Sequence, residues 1–169
     1  APLPDSETPY ALAGNSEITY SPDACWLATG GFRRDLSIWS TRRGSHTHTL
    51  SSDVGPTLSF EFSHDSKVLA EGKIGQRVIL WDVETCEIQK ALNGYFDSVF
   101  GVAFSPDDSP CMSSSRDGTV RLWQRSSGRE ILTLKPQATN LSRLSFSHDG
   151  ARVLVESKTN LLTIFDATP

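Results

Sequence analysis

The sequence predicts an all-β protein made of four copies of one small sheet, because three columns of residues recur at a single stride. Ser21-Pro22-Asp23, Ser63-His64-Asp65, Ser105-Pro106-Asp107 and Ser147-His148-Asp149 are spaced 42 residues apart. Trp39, Trp81, Trp123 and Phe165 follow the same interval, as do Tyr20, Phe62, Phe104 and Phe146 just ahead of the Ser-x-Asp steps. Three independent columns that share one gapless period identify an internal repeat, and a period of roughly 40 residues belongs to solenoids, propellers and arrays.

The elements within one repeat follow in order. Ile18-Thr19-Tyr20, Phe60-Glu61-Phe62, Val102-Ala103-Phe104 and Leu144-Ser145-Phe146 alternate apolar and small or polar residues, which places one apolar face on a short first strand. The Ser-x-Asp step makes the next turn, since an Asp side chain bonds the backbone N–H groups that follow it. A second strand runs through Leu27-Ala28, Leu69-Ala70, Cys111-Met112 and Val153-Leu154. A third carries Leu36 and Ile38, Val78 and Leu80, Val120 and Leu122, Leu162 and Ile164, and ends on the bulky aromatic. Glu87 to Leu92 and Glu130 to Leu134 read as fourth strands, and the polar His46-Thr47-His48-Thr49-Leu50 suits an exposed outer one. Four short antiparallel strands per repeat make one blade of a β-propeller. Residues 12–169 are expected to form four such blades, with 1–11 as an N-terminal segment.

Composition excludes several alternatives. Hydrophobic residues are 37% and charged residues 21% of 169, a balance that fits neither a disordered tail nor a membrane protein. No apolar run approaches the ~20 residues of a membrane helix. With 16 Lys and Arg against 20 Asp and Glu, the net charge of −4 speaks against a general nucleic-acid binder. Cys25, Cys86 and Cys111 are an odd set without a C-x-x-C pair, which reads as reduced thiols and a cytoplasmic location. The opening APLPDSETPY lacks a leader pattern, and Asn140-Leu141-Ser142 is a commonplace match to a glycosylation acceptor.

The third repeat, from Val102-Ala103-Phe104-Ser105-Pro106-Asp107 through Arg116-Asp117-Gly118-Thr119-Val120-Arg121-Leu122-Trp123, resembles a WD repeat. The second ends in Val78-Ile79-Leu80-Trp81-Asp82, with the dipeptide that names that family. The resemblance covers about residues 12–169 and implies a WD-repeat propeller, an architecture that serves mostly as a rigid platform for proteins and peptides. It also implies a buried network of His, Ser or Thr, Asp and Trp in each blade. The His column here reads Ala11, Asp53, Tyr95 and Gln137, and the Asp column Arg33, Gly75, Asp117 and Thr159. No complete network is therefore expected, and apolar packing is expected to dominate stability.

Rings of this family usually have seven or eight blades. Four blades in a row leave two apolar end faces, because a repeat cannot bury its face alone. Residues 2–8 occupy the register of a fourth strand that would close the last blade, although Pro2, Pro4 and Pro9 flank or interrupt that segment. Three arrangements stay open. The chain is half of a longer propeller, or two copies form an eight-bladed ring, or four blades close alone.

In the family, ligands commonly sit where the turn before the third strand meets the start of the first. Those positions are Phe32, Ile74, Arg116 and Lys158, with Ser16, Leu58, Phe100 and Ser142 beside them. Aromatic residues mixed with Arg and Lys have the composition of interaction hot spots. The alternative is that Phe32, Leu58, Ile74 and Phe100 simply pack on neighbouring blades. His46 and His48 alternate on one strand without further ligands at a metal-site spacing, so a solvated pair is the favoured reading. His64 and His148 are turn residues, and Arg33, Arg34, Arg42 and Arg43 form a local basic cluster. Asp23, Asp65, Asp107 and Asp149 fall one per blade, away from a shared centre, so they do not make an acid–base pair.

The expected function is a non-catalytic protein–protein interaction scaffold or sensing module, within a larger signalling polypeptide. Its partner is a protein or peptide, with no cofactor, metal, nucleic acid or membrane, and no enzyme activity. The partner-binding candidates are Phe32, Leu58, Ile74, Phe100, Arg116 and Lys158. Competing readings are a self-assembling half-propeller and an enzyme with its site at the propeller mouth.

Overall fold

A computed structural model describes residues 16–32, 34–42, 45–51 and 55–167 of the chain. Its strands arrive at the 42-residue stride. The first sheet comprises β1 (Ser16–Tyr20), β2 (Trp26–Gly31), β3 (Arg34–Ser40) and β4 (Ser45–Leu50). The second comprises β5 (Thr57–Phe62), β6 (Val68–Lys73), β7 (Arg77–Asp82) and β8 (Ile88–Asn93). The third comprises β9 (Val99–Phe104), β10 (Pro110–Ser115), β11 (Val120–Gln124) and β12 (Glu130–Leu134). The fourth has three strands among the described residues: β13 (Leu141–Phe146), β14 (Arg152–Ser157) and β15 (Leu162–Asp166). Every sheet is an antiparallel meander in chain order. The candidate closing segment 1–11 lies outside the described residues.

The Ser-x-Asp step builds the same turn four times. Each Ser hydroxyl donates to its Asp at 2.6 Å, in the pairs Ser21–Asp23, Ser63–Asp65, Ser105–Asp107 and Ser147–Asp149. The same carboxylate oxygen accepts the N–H two residues on, from Cys25, Lys67, Ser109 and Ala151. These bonds hold all four carboxyls below the usual Asp range. The corner residue takes a left-handed backbone, with φ of 56° at Ala24, 61° at Ser66, 58° at Asp108 and 70° at Gly150.

Two of those corners also bind the preceding blade. Ser66 accepts a hydrogen bond from the N–H of Asp23 at 3.1 Å. Asp108 accepts from the N–H groups of His64 and Asp65, both at 2.7 Å. Arg125 then reaches back to Asp65 at 3.0 Å. Asp108 and Arg125 therefore clamp the third sheet to the second.

Period-two alternation gives every blade two apolar faces, and the blades stack face to face with β1, β5, β9 and β13 innermost. Ala28, Leu36, Ile38 and Leu50 of the first sheet pack on Phe60, Phe62, Leu69, Ile79 and Trp81 of the second. Val68, Ala70, Val78, Leu80 and Leu92 meet Val102, Phe104, Cys111 and Trp123 at the next interface. Ala103, Met112 and Val120 meet Leu144, Val153 and Val155 at the third.

The end faces carry the same columns without a neighbour. Phe60 and Phe62 are 7% and 4% exposed, whereas their equivalents Ile18 and Tyr20 are 52% and 62% exposed. At the other end Leu162 and Ile164 are 65% and 63% exposed, although Leu36 and Ile38 in the same columns are fully buried. Both faces are therefore bare among the described residues.

No complete network was expected, and among the described residues parts of one are seen in the first and third sheets. Trp39 donates its indole N–H to Thr29 at 2.9 Å, and Trp123 donates to Ser113 at 2.8 Å. In the third sheet Tyr95 stands in the His column, and its hydroxyl lies 2.6 Å from that of Ser113. Asp117 does not reach the aromatic; it accepts from the N–H groups of Phe96 and Thr119. The second sheet uses a different solution. Glu71, fully buried, accepts from the Trp81 indole at 2.9 Å, from Lys73 at 3.1 Å and from the Thr57 hydroxyl. A buried carboxylate with three donors is satisfied; losing one leaves it under-bonded at a cost of ~1–3 kcal/mol.

Candidate functional site

The turn between second and third strands is fixed by one repeated backbone bond. The N–H of Ile74 donates to Pro56 O at 3.2 Å, that of Arg116 to Ser98 O at 2.9 Å and that of Lys158 to Asn140 O at 2.9 Å. Each bond ties the turn to the chain just ahead of the innermost strand. The side chains on these turns are thereby gathered at one end of the stack, opposite the Ser-x-Asp turns.

They open into a single groove of about 890 Å³. Phe32, Leu58, Ile74, Phe100, Arg116 and Lys158 all line it, together with Ser142. Leu58, Ile74 and Phe100 are half-buried, and Phe32, Arg116 and Lys158 are exposed. The backbone of Ser16 lies at the start of β1. Lys158 holds its ammonium 3.9 Å from the centre of the Phe100 ring, within cation–π range.

The floor of the groove depends on a close approach of backbones. A Cβ on Gly101 would lie 2.6 Å from Ser114 Oγ, 3.1 Å from Ser142 O and 3.2 Å from Leu144 N. Only glycine lets β9 and β13 come this near, which sets the depth between the third and fourth blades.

Three further charged groups line the groove that the sequence reading did not single out: Glu17, Glu61 and Arg143. Burial pushes the Glu17 carboxyl up, partly offset by the Phe60 N–H and by Arg143. Burial likewise raises Glu61 to about 7, against a 3.3 Å hydrogen bond from the Phe104 N–H and the nearby His64. Their signal lay in the innermost strands. The column at Glu17, Ser59, Gly101 and Arg143 is polar or small in every repeat, and so is the column at Thr19, Glu61, Ala103 and Ser145. Phe96 was also missed. It is 83% exposed, with its N–H bonded to Asp117 and its carbonyl to Gln76.

None of the other singled-out residues whose side chains are described lines this groove. His48 is exposed on β4, where His46 also lies. His64 sits in its turn with Nδ1 3.1 Å from Asp108, and His148 is exposed in the equivalent turn. Arg42 is exposed, and Arg33 and Arg43 lie outside the described residues. Cys25 and Cys86 are half-buried thiols; Cys111 is fully buried, and burial pushes its pKa up.

Comparison with known proteins follows the same lines. Residues 86–124 match the family model described as WD domain, G-beta repeat. Autophagy-related protein 16 of Arabidopsis thaliana is 21% identical over 90% of this chain and 38% of its own length. COMPASS component SWD3 of Saccharomyces cerevisiae is 24% identical over 89% of this chain and 50% of its own. Transducin beta-like protein 3 of Bos taurus is 28% identical over 86% of this chain and 19% of its own. The chain thus spans between about a fifth and a half of these relatives. With a matched repeat at 86–124 and the same blade at a 42-residue stride on either side of it, the fold is that of a WD-repeat β-propeller.

Proposed function

We propose that the chain is a non-catalytic protein-interaction platform whose binding face is the groove at the end of the stacked blades. One observation carries this reading: the turns of four repeats, three anchored by the same backbone bond, deliver Phe32, Ile74, Arg116 and Lys158 to one cavity, where Leu58 and Phe100 of the innermost strands join them. Exposed apolar surface beside cations is what protein-binding hot spots use. The groove's two carboxylates, Glu17 and Glu61, fall in different blades and its cations Arg116, Arg143 and Lys158 in the third and fourth, an arrangement that suits contact with a partner better than bond-making chemistry. A sensing or scaffolding role within a larger signalling protein fits this design, and the free thiols suit a reducing compartment such as the cytoplasm. Replacing Phe100 and Arg116 together by alanine is expected to spare folding and to abolish partner capture in a pull-down. Equal recovery of the same partners by the double variant overturns the reading.

The bare end faces support a second reading, in which further blades cover them, supplied by a second copy or by a longer chain. Ile18 and Tyr20 offer the surface that Phe60 and Phe62 offer to the first blade, and Leu162 and Ile164 offer its complement. Light scattering separates the cases: a particle of about 37 kDa is the pair, and one of 18.5 kDa is the single chain.

A further inference from the structure

The groove is polarised along the arc of blades. Its first two blades give exposed or half-buried apolar surface, with Phe32, Leu58 and Ile74, beside the carboxyls of Glu17 and Glu61; Phe100 lines it from the third blade, and Val102 and Leu144 of the third and fourth are buried. Its cations come from the last two, with Arg116, Arg143 and Lys158. Elsewhere in the structure Arg121, Arg125 and Arg152 each lie within 4 Å of a carboxylate, on Glu130, on Asp65 and Asp108, and on Asp166. Arg116 and Lys158 have no such partner among the described residues, and Lys158 rests on the Phe100 ring instead. Arg143 faces Glu17. An unpaired ammonium poised on an aromatic face, in the same groove as an unpaired guanidinium, is a prepared receptor for an anionic side chain.

We propose that this groove takes an extended acidic peptide segment. Its carboxylate lies between Arg116 and Lys158, and an apolar side chain a few residues away packs on Phe32, Leu58 and Ile74. The inference rests on the groove being the protein-binding face and adds the chemistry of the partner. Charge selects an anion: three cations stand against Glu17 and Glu61, whose carboxyls burial pushes toward the neutral form, so the groove is net positive. The apolar half selects a peptide over a nucleic acid, because a phosphate backbone needs cations along its whole length. Polarity also fixes direction, since a reversed segment sets its carboxylate against Phe32 and Ile74.

Random dodecapeptides displayed on phage and selected on the 169-residue chain are the probe. The enriched sequences are expected to pair Asp or Glu with a Leu, Ile, Phe or Trp at a constant separation. Synthetic versions are expected to bind roughly ten-fold more weakly to Arg116→Ala/Lys158→Ala, and more weakly as salt rises. Both side chains are exposed, and unchanged urea midpoints confirm that the variants fold. Peptides that need Phe100 but carry no acid, and ignore the cation variants, overturn the acidic specificity and leave the groove as a protein-binding face. Failure to enrich any peptide, or peptides indifferent to Phe32→Ala, Phe100→Ala and the cation variants alike, overturns both. Displacement of the peptides by a single-stranded dodecanucleotide at equal concentration overturns the choice of a peptide partner.

Discussion

Trp39 and Trp81 are the same residue at the same position of two successive repeats, one against an end face and one inside an interface. Trp81 is buried in the cluster between the first and second sheets and donates to the fully buried Glu71. Truncating it to alanine removes a filled volume, which typically costs ~3–5 kcal/mol, and takes one of three donors from a carboxylate that cannot reach water. Trp39 is half-buried and donates to Thr29. Much of its ring is already in contact with solvent, so Trp39→Ala is expected to cost about half as much, roughly 2 kcal/mol. Urea denaturation reads the difference. With a slope of ~1–3 kcal/mol per molar, the Trp81→Ala midpoint should fall about 1 M below that of Trp39→Ala. Equal midpoints would mean that the interface between the sheets does not carry the stability, and the reasoning from columns would fail.

Other perturbations follow from particular bonds. Tyr95→Phe removes a buried hydroxyl that bonds both the Ser113 hydroxyl and its carbonyl, and a loss of ~1–2 kcal/mol in urea titration is expected. Asp117→Asn keeps an acceptor for one of its N–H donors and is expected to cost only ~1 kcal/mol by the same measurement. Glu61 has a carboxyl pKa raised in the folded state to about 7. The folded protein therefore binds more protons than the unfolded chain between the ordinary Glu value and about 7, and stability falls as pH rises through that window. Glu61→Gln removes this term, so its midpoint should exceed the wild-type midpoint by more at pH 8 than at pH 5. An equal gap at both values would show that the carboxyl is not held up by burial.

Much of the architecture was legible because it repeats. The stride placed the strands, and the Ser-x-Asp turn followed from the short side chains that its bonds require. The six groove residues could be named because the WD-repeat resemblance implies where ligands sit and the 42-residue register carries those positions into each repeat. What could not be read depends on groups far apart in sequence. Glu71 looks like an ordinary polar residue on a strand until the fold brings Thr57, Lys73 and Trp81 around it. The clamp of Asp108 onto the N–H groups of His64 and Asp65 spans 44 and 43 positions and uses a corner that holds Ala, Ser, Asp and Gly in the four repeats. Tyr95 hid a surviving network because a phenol does there what the family's imidazole does. Glu61 and Arg143 escaped notice because alternation marks apolar faces and is silent about charges at the axis.

A crystal structure of the chain would test the stacking of equivalent sheets most directly. Trp39, Trp81, Trp123 and Phe165 should occupy the same site on the third strand of four consecutive sheets, with Phe32, Ile74, Arg116 and Lys158 around one groove. Coordinates that scatter those aromatics over unrelated positions, or that put the four turns on different sides of the molecule, would contradict it.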